Sequence, residues 1–375
     1  MSEAAEEITM GSPSIAAEDL ERVSEVLRSG RLREGPLCRE FEEAFAAKVG
    51  ARFAVSVNSG TAALHLAYLS LLEATDARGG DEVLVPSFTF IATASMVVAA
   101  GARPLFCDVD PKTFTLDGAD AERRITPKTK LIAGVHLFGN SCDVSGYQAL
   151  AERRGLRIVW DAAQAQGTRF EGNDVGGFPD AVCFSFYPSK NMTTGEGGMI
   201  ATSDAALYEK CLRLRNHGQG DEYIFPELGF NYRMTDIQAA LGLGQLKRLD
   251  EFLRRRRENA EFLSSRLKEV DGLTVPYVSE GVEHSYNQFS VLLTGDSPEK
   301  QRTALRRKLQ EAGVPTAVYY PSPLHVQPAF APKPADPLPV SEDLAGRILS
   351  LPVHPQLTKE QLEKVVEELK RNLNG

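Results

Sequence analysis

Between residues 52 and 203 the chain alternates short apolar runs with helical patterns, and few architectures accommodate that alternation. The runs are "RFAVSV" (52–57), "DEVLVP" (81–86), "RPLFCDV" (103–109), "TKLIAGVH" (129–136), "LRIVWDA" (156–162), "AVCFSF" (181–186) and "GMIATS" (198–203). Helical periodicity fills the intervals 61–72, 91–100 and 145–154. Seven strands interleaved with helices predict an α/β fold, with a mostly parallel sheet covered on both faces.

At 375 residues the chain is longer than the ~250–300 residues that one core usually holds. Its texture changes near residue 204. A helical stretch to about 268 is interrupted by "NHGQGDEYIFPELGFNYRMT", and a strand near 287–293 and helices over 298–312 and 358–373 follow. These features predict a large domain over 1–250, with an N-terminal helical segment, and a smaller α+β domain over 251–375. The stretch "PSPLHVQPAFAPKPADPLP" (321–339) holds seven of the 21 prolines and reads as a rigidified loop, of a length that is often functional.

The net charge of −9 makes nucleic acid an unfavourable partner, because an acidic surface repels phosphate backbones. The densest basic run, Arg254 to Arg257, reads as the solvated face of a long amphipathic helix. Cys38, Cys107, Cys142, Cys183 and Cys211 form no CxxC pair, so metal-ligand spacing is absent; Cys107 and Cys183 read as core residues. The acidic start "MSEAAEEITM" does not read as a signal peptide, and no run reaches the ~18 apolar residues of a membrane helix. The expected location is the cytoplasm, with no membrane partner.

Ligands of open parallel sheets gather at the carboxyl ends of strands. Five groups of residues fall at such ends or on their approaches. In "NSGTAALHLA" (58–67), Gly60 allows close backbone approach, and the N–H groups of Thr61, Ala62 and Ala63 could face an anion. Asp161 ends a strand, where it could be an acid–base group, the partner of a buried cation or, with no His or Cys cluster nearby to support it, a metal ligand. Lys190, in "FSFYPSKNMTTGEGG" (184–198), follows a strand and precedes a glycine-rich turn; a desolvated amine there would be nucleophilic. Phe88 and Phe90 could stack on a flat ring. Asn231 and Arg233 lie on the approach to a helix. Each feature alone also has an ordinary reading, as a helix cap, a surface lysine, a core aromatic or a turn. Together they suit pyridoxal phosphate, which presents a phosphate, a flat ring, a pyridine nitrogen and an aldehyde.

At this point the sequence resembles the DegT/DnrJ/StrS family of sugar aminotransferases, fold-type I pyridoxal-phosphate enzymes, from about Ile15 to Leu373. The matching stretches are "SGRLREGPLCREFEEAFA", "VNSGTAALHLA", "VPSFTFIATA", "VWDAAQAQGT", "FSFYPSKNMTTGEGGMI", "RNHG", "GFNYRMTDIQAA" and "YYPSPLHVQPAF". The resemblance implies that Lys190 carries the cofactor covalently, that Asp161 pairs with the pyridine nitrogen and that Gln164 lies over the ring region. It implies Phe90 as the stacking aromatic and Gly60, Thr61 and Ser185 as phosphate contacts. It also implies that Asn231 reaches the phosphate of the other subunit of a homodimer, and that Arg233, Tyr319, Tyr320 and His325 contact a nucleotide-linked keto-sugar.

The implied reaction moves an amino group from L-glutamate to a 3-keto or 4-keto sugar. Lys190 as lysine argues against the dehydratase relatives, which carry histidine there. A cyclitol or carbocyclic ketone as acceptor, or a non-catalytic regulator keeping the fold, are the alternatives; a decayed site would have lost Lys190 or Asp161.

Overall fold

The computed structural model describes residues 7–72, 80–330 and 336–373. Every expected strand before residue 205 forms: β1 (Phe53–Val57), β2 (Glu82–Pro86), β3 (Arg103–Cys107), β4 (Thr129–Val135), β5 (Arg157–Asp161), β6 (Ala181–Ser185) and β7 (Gly198–Thr202). They make one sheet in the order β1-β7-β6-β5-β4-β2-β3. The pairs β2–β3, β2–β4, β4–β5 and β5–β6 are parallel, and β7 runs antiparallel to both β1 and β6.

The middles of the central strands are apolar because both faces are covered. Along β4, Leu131 and Ala133 join one core and Ile132 the other. The first core includes residues of α3 (Gly60–Leu71), α4 (Ala92–Ala99) and α7 (Ala205–Arg215). The second includes residues of α2 (Pro36–Val49), α5 (Gly118–Arg124), α6 (Val144–Arg154) and α8 (Asp236–Leu267), and α1 (Ala17–Ser29) is tied to α8 through Asp19 and Arg248. Helix α3 is apolar nearly all round, as a helix buried on most sides must be. Cys107 and Cys183 are core residues, at 0% and 1% exposure.

Helix α8 begins with a reciprocal cap: the Gln238 N–H donates to Thr235 Oγ1 at 3.3 Å, and the Thr235 N–H to Gln238 Oε1 at 2.8 Å. The helix runs unbroken through residue 250. Its Leu249 and Leu253 belong to the core under the large sheet, while Ala260, Leu263 and Leu267 belong to a separate C-terminal core. That core lies around a three-stranded antiparallel sheet of β8 (Leu273–Thr274), β9 (Phe289–Leu293) and β10 (Ile348–Leu351). Helices α9 (Pro298–Glu311) and α11 (Lys359–Leu373) cover it; α11 buries Leu362, Val365, Val366 and Leu369, one helical stripe.

Two expectations need correction. The run Arg254–Arg257 is not one solvated face: Arg256 is 5% exposed and donates from Nη1 to the carbonyl oxygens of Tyr286 (3.1 Å) and Asn287 (3.5 Å). Successive helical residues point about 100° apart, so four in a row must reach the packed side. The proline-rich stretch contains a 3-10 turn at Leu324–Val326, and its last proline opens α10 (Pro339–Arg347), where proline at the first helical position costs no hydrogen bond. Residues 331–335 of that stretch lie outside the described residues. Among the described residues, no helix is long and apolar enough to cross a membrane.

Candidate active site

The carboxyl ends of β4, β5 and β6 open into a cavity of about 460 Å³. Asp161, the last residue of β5, faces it from a buried position, registered between Val135 of β4 and Cys183 of β6. Its Oδ2 accepts the Thr93 hydroxyl at 2.7 Å and its Oδ1 accepts the Ala163 N–H at 3.1 Å. Burial pushes this carboxyl above its ordinary range, while Thr93, Ala163 and the Lys190 charge pull it back.

Lys190 reaches the same cavity from the loop after β6, where its N–H donates to the Tyr187 carbonyl oxygen at 2.9 Å. Burial lowers its amine to about 8, against the opposing attraction of Asp161. An amine tuned this way is neutral, and so nucleophilic, in a useful fraction near physiological pH.

The third wall is the start of α3. The Ser59 Oγ accepts the Ala62 N–H at 3.1 Å, and the Ser59 carbonyl oxygen accepts the Ala63 N–H at 3.1 Å. Those two N–H groups are therefore taken, contrary to expectation. The N–H groups of Gly60 and Thr61 find no acceptor among the described residues and belong to the cavity wall. Gly60 is required by contact: a Cβ there would lie 2.6 Å from the Ser185 Cβ. At Gly198 a Cβ would lie 2.4 Å from the Ser59 carbonyl oxygen, so the turn after Lys190 packs directly on this helix N-terminus. Ser185 lines the cavity next to Gly60.

Phe90 stands 54% exposed on the cavity wall, whereas Phe88 is wholly buried in the core. Gln164 accepts the Phe138 N–H at 2.8 Å through Oε1 and donates from Nε2 to the Tyr320 hydroxyl at 3.0 Å. Tyr319 and Tyr320 complete the wall. Nine of the twelve expected residues thus meet in one place.

The other three do not line this cavity. Asn231 is exposed, and the Arg233 Nη1 donates to Asn216 Oδ1 at 2.6 Å. His325 is 3% exposed, with Nδ1 2.7 Å from the Ser87 hydroxyl and Nε2 3.1 Å from Glu342. Both ring nitrogens are engaged, so His325 anchors its loop to the sheet rather than meeting a ligand here. Thr89, Thr93, His136, Tyr187 and Glu196 were missed; all but Thr93 line the cavity. Thr93 could have been suspected from "SFTFIATA", where it follows Thr89 by one helical turn.

Comparison with known proteins agrees with this geometry. The chain is 39% identical to UDP-N-acetyl-3-dehydro-alpha-D-glucosamine 3-aminotransferase of Acidithiobacillus ferrooxidans, over 96% of this chain and 94% of that relative. The solved structure of S. venezuelae DesV superposes with a TM-score of 0.90 at 36% identity, covering 98% of this chain and 100% of that one. Spr1654 of Streptococcus pneumoniae, assigned as a sugar aminotransferase and solved in a PLP-form, superposes with a TM-score of 0.91 at 28% identity, covering 98% and 99%. The profile of one family matches residues 13–370, and the chain belongs to the DegT/DnrJ/EryC1/StrS aminotransferase family.

Proposed function

We propose that the protein uses pyridoxal 5'-phosphate to transfer an amino group from L-glutamate to a nucleotide-linked keto-sugar. The observation that carries this reading is the convergence of the Lys190 amine, the Asp161 carboxylate and the open N-terminus of α3 on one cavity. When bound, the cofactor supplies the electron sink that lets a substrate Cα lose its proton.

The residues fit such a group. Gly60, Thr61 and Ser185 would hold its phosphate, and Phe90 would cover its ring. Asp161 would keep a proton on the ring nitrogen, since an opposite charge favours the charged form. Lys190 would bind the aldehyde carbon and, once released by the donor amine, take the proton from the substrate Cα as a general base. Tyr319 and Tyr320 would meet the sugar. The nucleotide-sugar acceptor is supported by the A. ferrooxidans relative, and the cofactor by the PLP-form of Spr1654.

A homodimer accounts for Asn231 and Arg233, which have no place in their own chain's cavity; Asn231 would reach the partner's phosphate site. Support comes from the exposed Tyr223, Phe225 and Leu228 just before them. We also propose units over 1–250 and 251–375, with α8 as their common spine.

The test is an absorption spectrum of the purified protein with pyridoxal phosphate, before and after L-glutamate, for wild type and Lys190→Ala. A visible band that glutamate removes in the wild type, with no turnover in the variant, is the expected result. Absence of any visible band overturns the reading.

A further inference from the structure

The two chain neighbours of Lys190 are pinned by side-chain amides that lie outside the cavity. Asn287 donates from Nδ2 to the Ser189 carbonyl oxygen at 3.2 Å and to Asn191 Oδ1 at 3.2 Å. Asn191 donates from its own Nδ2 to the carbonyl oxygens of Gln166 at 3.2 Å and Ser285 at 3.3 Å. Both asparagines are 3% exposed.

The orientation of both amides is dictated by their partners. A carbonyl oxygen only accepts, so Asn191 must turn its NH2 towards Gln166 and Ser285 and its oxygen towards Asn287. Asn287 must then turn its NH2 towards Ser189 and Asn191. The donor hydrogens of both side chains are engaged, three of the four bonds ending on main-chain carbonyls. Aspartate at either position would set a carboxylate against those carbonyls, and alanine would leave buried acceptors unpaired.

Three segments meet at this pair. Gln166 belongs to the loop that follows Asp161, and residues 189–191 carry Lys190. Residues 285–287 lead into β9 of the C-terminal sheet. The last segment is itself held by α8, through Arg256 to the Tyr286 carbonyl oxygen at 3.1 Å and Arg257 to that of His284 at 3.1 Å. It is also held by the Ser285 N–H on the Gly139 carbonyl oxygen at 2.9 Å. The next residue, Gln288, lines the cavity.

We propose that Asn191 and Asn287 are positioning residues for Lys190: through them the segment entering the C-terminal sheet sets how far the amine projects into the cavity. The inference rests on the reading of Lys190 as the cofactor-binding lysine. Neither asparagine lines the cavity, so each acts only through the loop.

The test uses the full chain without cofactor, labelled by acetic anhydride over a range of pH, with the Lys190 peptide quantified by mass spectrometry. The wild-type midpoint is expected near 8. In Asn287→Ala it should rise by about one pH unit or more, towards the ~10.4 of a solvated lysine. In the holoenzyme kcat should fall about tenfold or more, with KM for L-glutamate within about twofold, as loss of a positioned base requires.

Asn259→Ala is the control. Asn259 is also a buried amide, 7% exposed, that donates to the carbonyl oxygen of His354 at 2.9 Å, away from the lysine, and its removal should leave the midpoint unchanged. An Asn287→Ala protein that loses stability like the control yet keeps the wild-type midpoint overturns the proposal. If Asn287→Ala does not fold, Asn191→Ser decides by the same midpoint: a rise supports the proposal, and no rise overturns it. A wild-type protein that binds no pyridoxal phosphate overturns the functional reading, while the cofactor-free labelling still decides the positioning role.

Discussion

The Thr93 hydroxyl donates a hydrogen bond to Oδ2 of Asp161 across 2.7 Å, tying the first turn of α4 to the strand end at the cavity. Thr93 is itself held by the Tyr68 hydroxyl, which donates to its carbonyl oxygen at 3.0 Å. A hydrogen bond to a buried carboxylate favours the ionised form that a ring nitrogen would need opposite it.

Thr93→Val removes that bond at nearly constant volume. Hydrogen bonds to charged groups contribute roughly 1.5–3 kcal/mol, so pyridoxal phosphate should bind about 10- to 100-fold more weakly, read by fluorescence titration. Thr93→Ser keeps the donor and should stay near wild type. Equal affinities for the valine and serine variants would show that the bond does not hold Asp161 for the cofactor.

Two charged groups of the cavity, Lys190 and Asp161, burden the cofactor-free protein, with opposite pH signatures. Lys190 has its folded value lowered to about 8 from 10.5, so its cost is fully present below pH 8 and fades as pH rises towards 10.5. Lys190→Met should therefore resist urea better than wild type at pH 7, and the gap should close between pH 8 and 10.5. Asp161 has its folded value raised, so its cost appears as pH rises above 3.8. Asp161→Asn should be the more stable protein at pH 7 and lose that advantage below pH 3.8. Unfolding curves at several pH values, without cofactor, check both.

Gly60→Ala would push a methyl group to 2.6 Å from the Ser185 Cβ and 3.1 Å from its Cα. The neighbour is backbone-anchored, so the start of α3 or the end of β6 must move. Overpacking of this kind costs about 1–3 kcal/mol, and the shift falls on the end of α3 proposed to hold the phosphate. Weaker binding of pyridoxal phosphate, with binding of the unphosphorylated pyridoxal much less affected, is the expected calorimetric result.

Arg215 stands at the centre of a buried ion group. Its Nη1 meets Glu42 Oε1 at 2.6 Å and its Nη2 meets Glu34 Oε1 at 2.5 Å, with Arg215 and Glu42 both nearly closed to solvent. Glu42 also accepts the Ser56 N–H and hydroxyl at 2.8 and 2.7 Å, which ties α2 to β1. Arg215→Met strands the Glu42 carboxylate and should cost about 3–5 kcal/mol, measured by urea unfolding. The double variant Arg215→Met with Glu42→Gln should recover part of that loss.

The features legible in the sequence were those with local causes. Apolar runs separated by helical periodicity announced all seven strands of the large sheet, because a strand covered on both faces has no polar side to show. Asp161, Lys190 and Gly60 stood out because parallel sheets deliver ligands to strand ends, and strand ends can be read from the chain. What stayed hidden depends on residues far apart in sequence. Thr93 meets Asp161 across 68 positions, and Asn287 meets Asn191 across 96. Their own surroundings show Thr93 only as the second of two threonines near a helix start and Asn287 only as part of a turn, without naming the partner of either.

His325 and Arg256 went astray for the same reason. A histidine beside two tyrosines, or an arginine in a basic run, shows its type but not its partner, and only packing put Ser87 and Glu342 on the one and two main-chain carbonyls on the other. The sequence alone determined the layered α/β plan and the chemical groups at its strand ends, since both follow from periodicity and residue type. The tertiary structure decided which of those groups share a cavity, how burial tunes them and which distant side chains hold them, because burial and hydrogen-bond partners are properties of the packed chain.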